Sequence, residues 1–405
     1  MAFRRVAVRI TTLSFFVLVL RRLVQTLWVA SVDISNAFPS VHRASLWLKL
    51  KRFGAGGKIF DWLRTLYYNM KYQVCHGGTV SHKFTSAMGI LAGDTVSPLL
   101  WLLYFSDFKI PESDDDVVLN DAHVSHLEQA DDLLLISLSQ EGLQRKLEIF
   151  YCWCCSEFMI VNALKCAIAY HGNKPRNFQT FHIGDDIINI VMEYTYVGMT
   201  FRGGPINLES FHLIFKPHYE QKAAKARKIA HATLHVEQMI GSLPPADGKT
   251  LYTALVDPHL TYGCEVALDT GATLSQLLQK VQSDFLRRLL GFSKRSTLVP
   301  LYTETGLSPV LYRRMELAIR YLAYALQRPT NSLVYCAVME SINLHIEGEQ
   351  SWFTDLLKII EKNIPESADL AVPSLDDFMD SEKVIEFHAC ILKVLPMYIE
   401  EWLQA

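Results

Sequence analysis

HLEQADDLLLIS (residues 126–137) sets two adjacent aspartates between two short apolar arms, and the fold turns on how it is read. The arms HLEQA and LLLIS predict a hairpin with Asp131 and Asp132 at its tip. Asp accepts turn geometry, so the triplet Ala-Asp-Asp alone is no more than a polar turn. A second stretch gives it weight. WVASVDI (28–34) is an apolar, β-branched run that predicts a buried strand ending at Asp33. Carboxylates at the ends of apolar strands are costly to desolvate, and three that face one another repel. Two Mg²⁺ ions about 3.5–4 Å apart would resolve that conflict and serve a phosphoryl transfer. Oxygen-only ligands suit Mg²⁺, and the Ile34 carbonyl offers one oxygen more.

Outward from these strands the pattern predicts an α+β module. Ser40 is placed to cap a helix in HRASLWLKLKRFG that Gly54 stops, and KIFDWLRTLYYNM gives a second helix. KYQVCHGGTVSHKFTSAMGI (71–90) predicts two strands joined at Gly77-Gly78. After the loop LAGDTV, Ser97 as cap and Pro98 as first helical residue open the apolar helix LLWLLYFSDF. Pro111 to Asp121 is acidic and loop-like, with Asp114, Asp115 and Asp116 read as loop residues and Asp185-Asp186 as a hairpin turn. His123 and His126 read as surface histidines. A helix over 140–159, a strand in CAIAYHG and a hairpin across IGDDIINIVMEYTYVGMTF complete the module. Beyond about 205 the chain turns helical and basic, with further boundaries near 205–215 and 330.

The chain has 405 residues, half of them hydrophobic, which is material for two or three domains and a sizeable core. Its net charge of −3 is not that of a typical polyanion binder. The charge is uneven, however. Residues 344–405 hold 13 Asp/Glu against four Lys, which leaves the first 343 residues at +6. Among the eight cysteines no paired CxxC spacing occurs, since Cys152 and Cys155 have no second such pair to match, and no zinc pattern forms. Cys152, Cys154 and Cys155 lie on a predicted amphipathic helix and read as buried or half-buried free thiols, in keeping with a reducing, intracellular setting. The opening MAFRRVAVRITTLSFFVLVLRR has a basic start and an apolar run, Ile10 to Leu20, that is too short to span a bilayer. It reads as a buried or amphipathic segment, and no membrane partner is expected.

Five segments in order resemble the motifs of reverse transcriptases of non-LTR (LINE-like) retrotransposons. VDISNAF (32–38) is similar to motif A, which makes Asp33 a metal ligand and Phe38 the bulky residue that screens the sugar 2′ position. GILAGDTVSPLLW (89–101) resembles motif B, whose loop and helix, here Gly93, Ser97 and Pro98, contact template and incoming nucleotide. QADDLLL (129–135) looks like motif C and carries Asp131 and Asp132. Lys165 falls where motif D has a lysine near the leaving pyrophosphate. YTYVGMTF (194–201) resembles motif E, the primer grip, with Tyr196, Val197 and Gly198. Two positions depart from the pattern: Ala92 stands where motif B usually has Gln, and Gln129 where motif C usually has an aromatic residue.

The resemblance covers roughly residues 26–328. It implies a right-hand polymerase palm, an antiparallel sheet with packed helices, over 26–205, followed by a helical thumb-like region over 206–330. Residues 1–25 are then an apolar segment or a remnant of fingers, and 331–405 an acidic helical tail. The implied activity is RNA-directed DNA polymerisation with two Mg²⁺ ions, an RNA template, a DNA primer and deoxynucleoside triphosphates, in the nucleus. The catalytic set would be Asp33, Asp131, Asp132 and Lys165, and the metal set Asp33, Ile34, Asp131 and Asp132. Lys222, Lys225 and Lys228, on one side of a predicted helix, read either as contacts to a nucleic-acid backbone or as a solvated face. The family's fingers need more chain than the 30 residues before motif A, so the expectation is a truncated element. The alternative is an inactive retroelement-derived remnant or a nucleic-acid-binding protein that lacks fingers.

Overall fold

The computed structural model describes residues 12–21, 26–119, 122–364 and 372–404. The basic start, Ile10, Arg22 and Asp121 lie outside them, as does part of the acidic tail at 365–371. The fold is α+β, as expected, and the chain divides into two compact units. One comprises residues 25–170 and 174–196, and the other residues 1–24, 171–173 and 197–405.

The first unit is built on a four-stranded sheet. Its strands are β1 (Leu27–Val32), β2 (His126–Gln129), β3 (Asp132–Ser137) and β4 (Ala167–His171), in the order β2-β3-β1-β4. β2 and β3 form the expected hairpin, and β3 runs antiparallel to β1 with Trp28 opposite Ser137 and Val32 opposite Leu133. Side chains alternate faces along each strand. Trp28, Ala30, Val32, Leu133 and Leu135 share one face and one core with Leu46, Leu50, Trp101, Tyr104, Leu143, Leu147 and Phe150 from three helices. Val29, Leu134 and Ile136 face the other way and are fully buried too. Burial on both faces explains why Leu133–Ile136 is an unbroken apolar run. The helices are Arg43–Arg52, Ser97–Phe105 and Gln140–Ser156, with Gly57–Asn69 beside them.

The hydroxyl caps expected of Ser40 and Ser97 do not form. The flanking positions are His42 and Val96, with no side-chain cap, and Ser97 is itself the first helical residue. The Ser40 hydroxyl instead donates to the Ser35 carbonyl (3.1 Å). Capping is a preference of about 1 kcal/mol, which tertiary packing overrides. Ser139, by contrast, caps Gln140–Ser156 by accepting from the Gly142 N–H (2.9 Å).

Three further expectations are corrected. Of the cysteine cluster only Cys154 is buried; Cys152 and Cys155 are exposed because the core-facing stripe of their helix runs Leu143, Leu147, Phe150, Cys154. Asp116 is not a solvated loop residue. Its carboxylate and the Lys146 ammonium pair at 2.5 Å with neither side chain exposed. His126 is half-buried rather than a free surface residue, its ring packed edge-on against Phe108 (5.2 Å). Burial, followed by the Lys146 charge, lowers His126 to about 4.

The second unit is helical. A helix over 12–21 buries Leu13, Phe15, Phe16, Val17 and Leu18, and the Phe16 ring meets Phe201 edge-on (5.2 Å). Arg21 stacks on Phe211 (4.1 Å) and pairs with Asp355. The acidic tail is not set apart: Phe353 and Ile360 are fully buried, and the Trp352 indole N–H donates to the Glu265 carbonyl (2.8 Å). At the centre the buried Arg314 donates to Asp269 (2.8 Å), the Leu260 carbonyl (2.7 Å) and Tyr219 Oη (2.9 Å). Among the described residues, no helix is long and apolar enough to cross a membrane.

Candidate active site

Asp33 follows directly on β1, between two neighbours. Continuing the β1–β3 register by one residue sets Asp33 opposite Asp132, on one face of the sheet. On the other side the chain at 160–166 holds its backbone. The Asp33 N–H donates to Cys166 Sγ (3.4 Å) and its carbonyl accepts from the Asn162 N–H (2.9 Å). Ile34 bridges Val161, and the Ser35 N–H donates to the Ile160 carbonyl (2.8 Å). Burial, then the nearby Asp33 charge, pushes the Cys166 thiol up to about 11 despite the opposing backbone N–H. It therefore stays a neutral acceptor at pH 7. Nothing in the sequence assigned Cys166 a role; its signal was its place directly after Lys165.

The hairpin tip is displaced by one residue from the expectation. Gln129 pairs with Asp132, so the two-residue turn is Ala130-Asp131 and Asp132 already begins β3. Ala130 adopts φ 58°, the sign that a type II′ hairpin turn demands at its first central position, where Gly is usual. Asp131 and Asp132 are both exposed. Lys165 Nζ stands 3.7 Å from Asp33 Oδ2, with side-chain exposures of 68% and 39%. An ion pair this open contributes at most about 1 kcal/mol, so it positions Lys165 without fixing it.

The donors are all oxygens, and like charges facing across a ladder favour a counter-cation. Asp33, Ile34, Asp131 and Asp132 thus fit a hard divalent cation in chemistry. Among the described residues, however, no group of three or more His, Cys, Asp or Glu side chains is gathered closely enough to hold a metal. The register preplaces Asp33 and Asp132, and Asp131 sits beside them on the turn.

Phe38 and the loop of residues 89–96 come together nearby. The Ile90 N–H donates to the Phe38 carbonyl (2.9 Å), and the Phe38 ring stacks on Trp101 (5.5 Å, 13°). That stack contributes about 0.5–1.5 kcal/mol beyond burial and makes Phe38 a stiff wall. Gly89 is required here, because a Cβ would lie 2.8 Å from the Pro39 carbonyl oxygen at φ 89°. Gly93 (φ 86°) and Pro98 are exposed on the loop and helix start. Ser97 is completely buried, 3.4 Å from Tyr67 Oη, so its side chain ties two helices together and faces no solvent.

Tyr196 ends the sheet unit and is buried, while Val197 (φ 49°) and Gly198 (φ 72°) open the helical one. Within the helical unit Tyr262 Oη donates to the Val197 carbonyl (2.5 Å), and Lys222 Nζ lies 4.0 Å over the Tyr262 ring. Burial, then Lys225, lowers the Lys222 ammonium below the usual lysine range. Lys225 and Lys228 are exposed on the helix Lys216–His235. Other arginines of this unit are engaged internally. Arg287 donates to the Ser296 carbonyl (3.1 Å), Arg288 pairs with Glu237 (3.3 Å) and Arg313 with Glu316 (3.1 Å).

Residues 5–201 match the family model of reverse transcriptase (RNA-dependent DNA polymerase). The chain is 26% identical over 184 residues to the Pol polyprotein of the type-2 retrotransposable element R2DM of Drosophila melanogaster, covering 43% of this chain and 17% of that protein. It is 28% identical over 144 residues to the Pol polyprotein of the type-1 element R2 of Nasonia vitripennis, covering 35% and 14%. The match to these relatives thus spans about a sixth of their length. Among solved structures, telomerase from Candida albicans in complex with a fragment of telomeric RNA overlaps 82% of this chain and 54% of its own. The identity is 13% and the TM-score 0.32, too loose a likeness to say anything of this chain's chemistry.

Proposed function

We propose, from the premise that residues 5–201 form a reverse-transcriptase domain of the non-LTR retrotransposon kind, that this chain is an RNA-directed DNA polymerase using two divalent metal ions. The observation that carries the reading is the register that sets Asp33 opposite Asp132 at the ends of buried strands, with Asp131 on the adjoining turn. On this reading the sheet unit is the palm and the helical unit the thumb. Asp33, Asp131, Asp132 and the Ile34 carbonyl would hold two Mg²⁺ ions, which supply charge neutralisation and activation of a hydroxyl. The primer 3′-hydroxyl attacks the α-phosphate of a deoxynucleoside triphosphate, and pyrophosphate leaves. Phe38, braced on Trp101, screens the sugar 2′ position, and Lys165, exposed beside Asp33, supplies positive charge to the leaving group. The Val197–Gly198 turn positions the primer, and Lys222, Lys225 and Lys228 meet a nucleic-acid backbone without reading sequence. RNA template and DNA primer are the partners, and the nucleus is the proposed setting.

Primer extension on primed homopolymer RNA tests this. The parent is expected to incorporate deoxynucleotides only with Mg²⁺, and an Asp131→Ala, Asp132→Ala double variant to lose about 10³-fold or more. Equal incorporation by both would refute the assigned site. No incorporation by a folded parent that still binds primer–template would leave a nucleic-acid-binding chain that does not polymerise.

A further inference from the structure

Away from the aspartates, the sheet unit has an open cavity of about 840 Å³ whose wall includes Arg43, Trp47, Arg64, Tyr67, Tyr68 and Lys71. Arg43 is buried, and its guanidinium donates to the carbonyls of Gly89 (2.7 Å), Tyr67 (3.0 Å) and Ser86 (2.6 Å) and to Tyr72 Oη (2.8 Å). All four acceptors are neutral. Among the described residues none of Arg43, Arg64 and Lys71 forms an ion pair, and Asp61, the one carboxylate of the lining, pairs with none of them. Burying a charge without a counter-charge is costly, so the cavity wall favours an anion. The flat surfaces are there as well. Tyr68, on the helix Gly57–Asn69, is 83% exposed, and Trp47 lines the cavity wall. Arg64 and Tyr68 stand four residues apart on one helical face, and Lys71 lies just beyond the helix end. Cation, aromatic ring and cation therefore alternate along the cavity mouth.

We propose that this cavity binds an unpaired strand of nucleic acid, with a base stacked on Tyr68 and its flanking phosphates on Arg64 and Lys71. A phosphate alone would leave the aromatic surface unexplained. A duplex keeps its bases stacked on each other and offers Tyr68 none. The inference deepens the polymerase reading by giving the enzyme a place for the single strand, and rests on it only for calling that strand a substrate.

The test is equilibrium binding of the full chain to a labelled oligothymidylate of about 12 nucleotides and to a blunt duplex of the same length. Arg64, Tyr68 and Lys71 are exposed, so their truncation leaves the fold intact, which circular dichroism checks. Arg64→Ala with Lys71→Ala is expected to weaken single-strand binding about tenfold and to lower the salt slope by about 1.4. Tyr68→Ala is expected to weaken it about fivefold or more, with duplex binding unchanged within about twofold. Single-strand affinity within about twofold of the parent in both variants overturns the proposal, and so does an equal loss on the duplex. Primer extension by the parent, measured beside strand binding, separates the two readings. Tyr68-dependent strand binding in a parent that does not polymerise sinks only the polymerase. Extension with Tyr68-independent binding sinks only this site.

Discussion

The strand that carries Asp132 is held from behind by a buried charge, and Lys146→Met tests how much that matters. Lys146 Nζ reaches Asp116 Oδ1 and the Ile136 carbonyl of β3, each at 2.5 Å, with both side chains wholly buried. His123 Nδ1, at 3.7 Å, is the only other charged or titratable group paired with Asp116 among the described residues. Removing the ammonium leaves a carboxylate in an apolar interior, at a cost of about 3–5 kcal/mol. For a unit of this size each kcal/mol lowers Tm by about 2–4 °C, so a drop of about 10 °C is expected in a thermal melt. Amides of residues 132–137 should lose hydrogen-exchange protection with it. Replacing both partners, Lys146→Met with Asp116→Leu, removes the orphaned charge and should recover most of the loss, since an apolar pair of similar volume is often neutral. A double-mutant cycle thus gives a coupling above about 2 kcal/mol. A single variant within about 1 kcal/mol of the parent, or a double variant as unstable as the sum, would refute the reasoning.

His126, lowered from 6.5 to about 4 by burial and then by Lys146, is neutral in the fold and gains a proton on unfolding. Its contribution is complete above pH 6.5 and lost as pH falls to about 4, at most about 3 kcal/mol; His126→Gln should flatten urea stability across that window. Ala130→Gly relieves a left-handed alanine but adds unfolded-state entropy, so melts should show anything from no change to about 1 kcal/mol of gain, whereas Ala130→Val should cost about 2 kcal/mol. Arg314→Met should cost about 3–5 kcal/mol in urea melts because it orphans Asp269, while Arg313→Met, from a half-exposed pair, should cost under about 1 kcal/mol.

The frame was legible where side chains repeat a pattern. The run WVASVDI and the arms around Asp131-Asp132 announce strands, and both form within a residue or two of expectation. The pairing of β1 with β3 was not legible, because its register depends on contacts across more than a hundred residues, whereas the one-residue slip of the turn is local and rests on a positive φ at Ala130 that an alanine does not announce. Lys146 was missed although a signal existed. It stands on the stripe Leu143, Leu147, Phe150, where a charge requires a buried partner. Its partner Asp116 lies in a stretch whose three aspartates look alike in sequence. Arg43 was hidden for another reason, since its partners are carbonyls and backbone acceptors leave no mark on composition.

Local rules and the observed structure disagree at a small set of places, and those places border the proposed chemistry. Among the described residues four non-glycine positions have positive φ: Asn36, Ala130, Phe158 and Val197. Asn36 follows Asp33 by three residues, Ala130 immediately precedes Asp131, Phe158 leads into the segment that pairs with Ile34, and Val197 sits in the expected primer grip. Each such residue costs on the order of 1–3 kcal/mol and persists only where its surroundings over-determine it. The surroundings here do: β3 and the chain at 160–166 flank Asp33, the β2–β3 ladder closes on Ala130, and Tyr262 holds the Val197 carbonyl. Two facing aspartates add a further local loss. A chain selected only for stability has no reason to keep these costs at the ends of its best-buried strands. The placement of carboxylates proposed above accounts for where these costs fall.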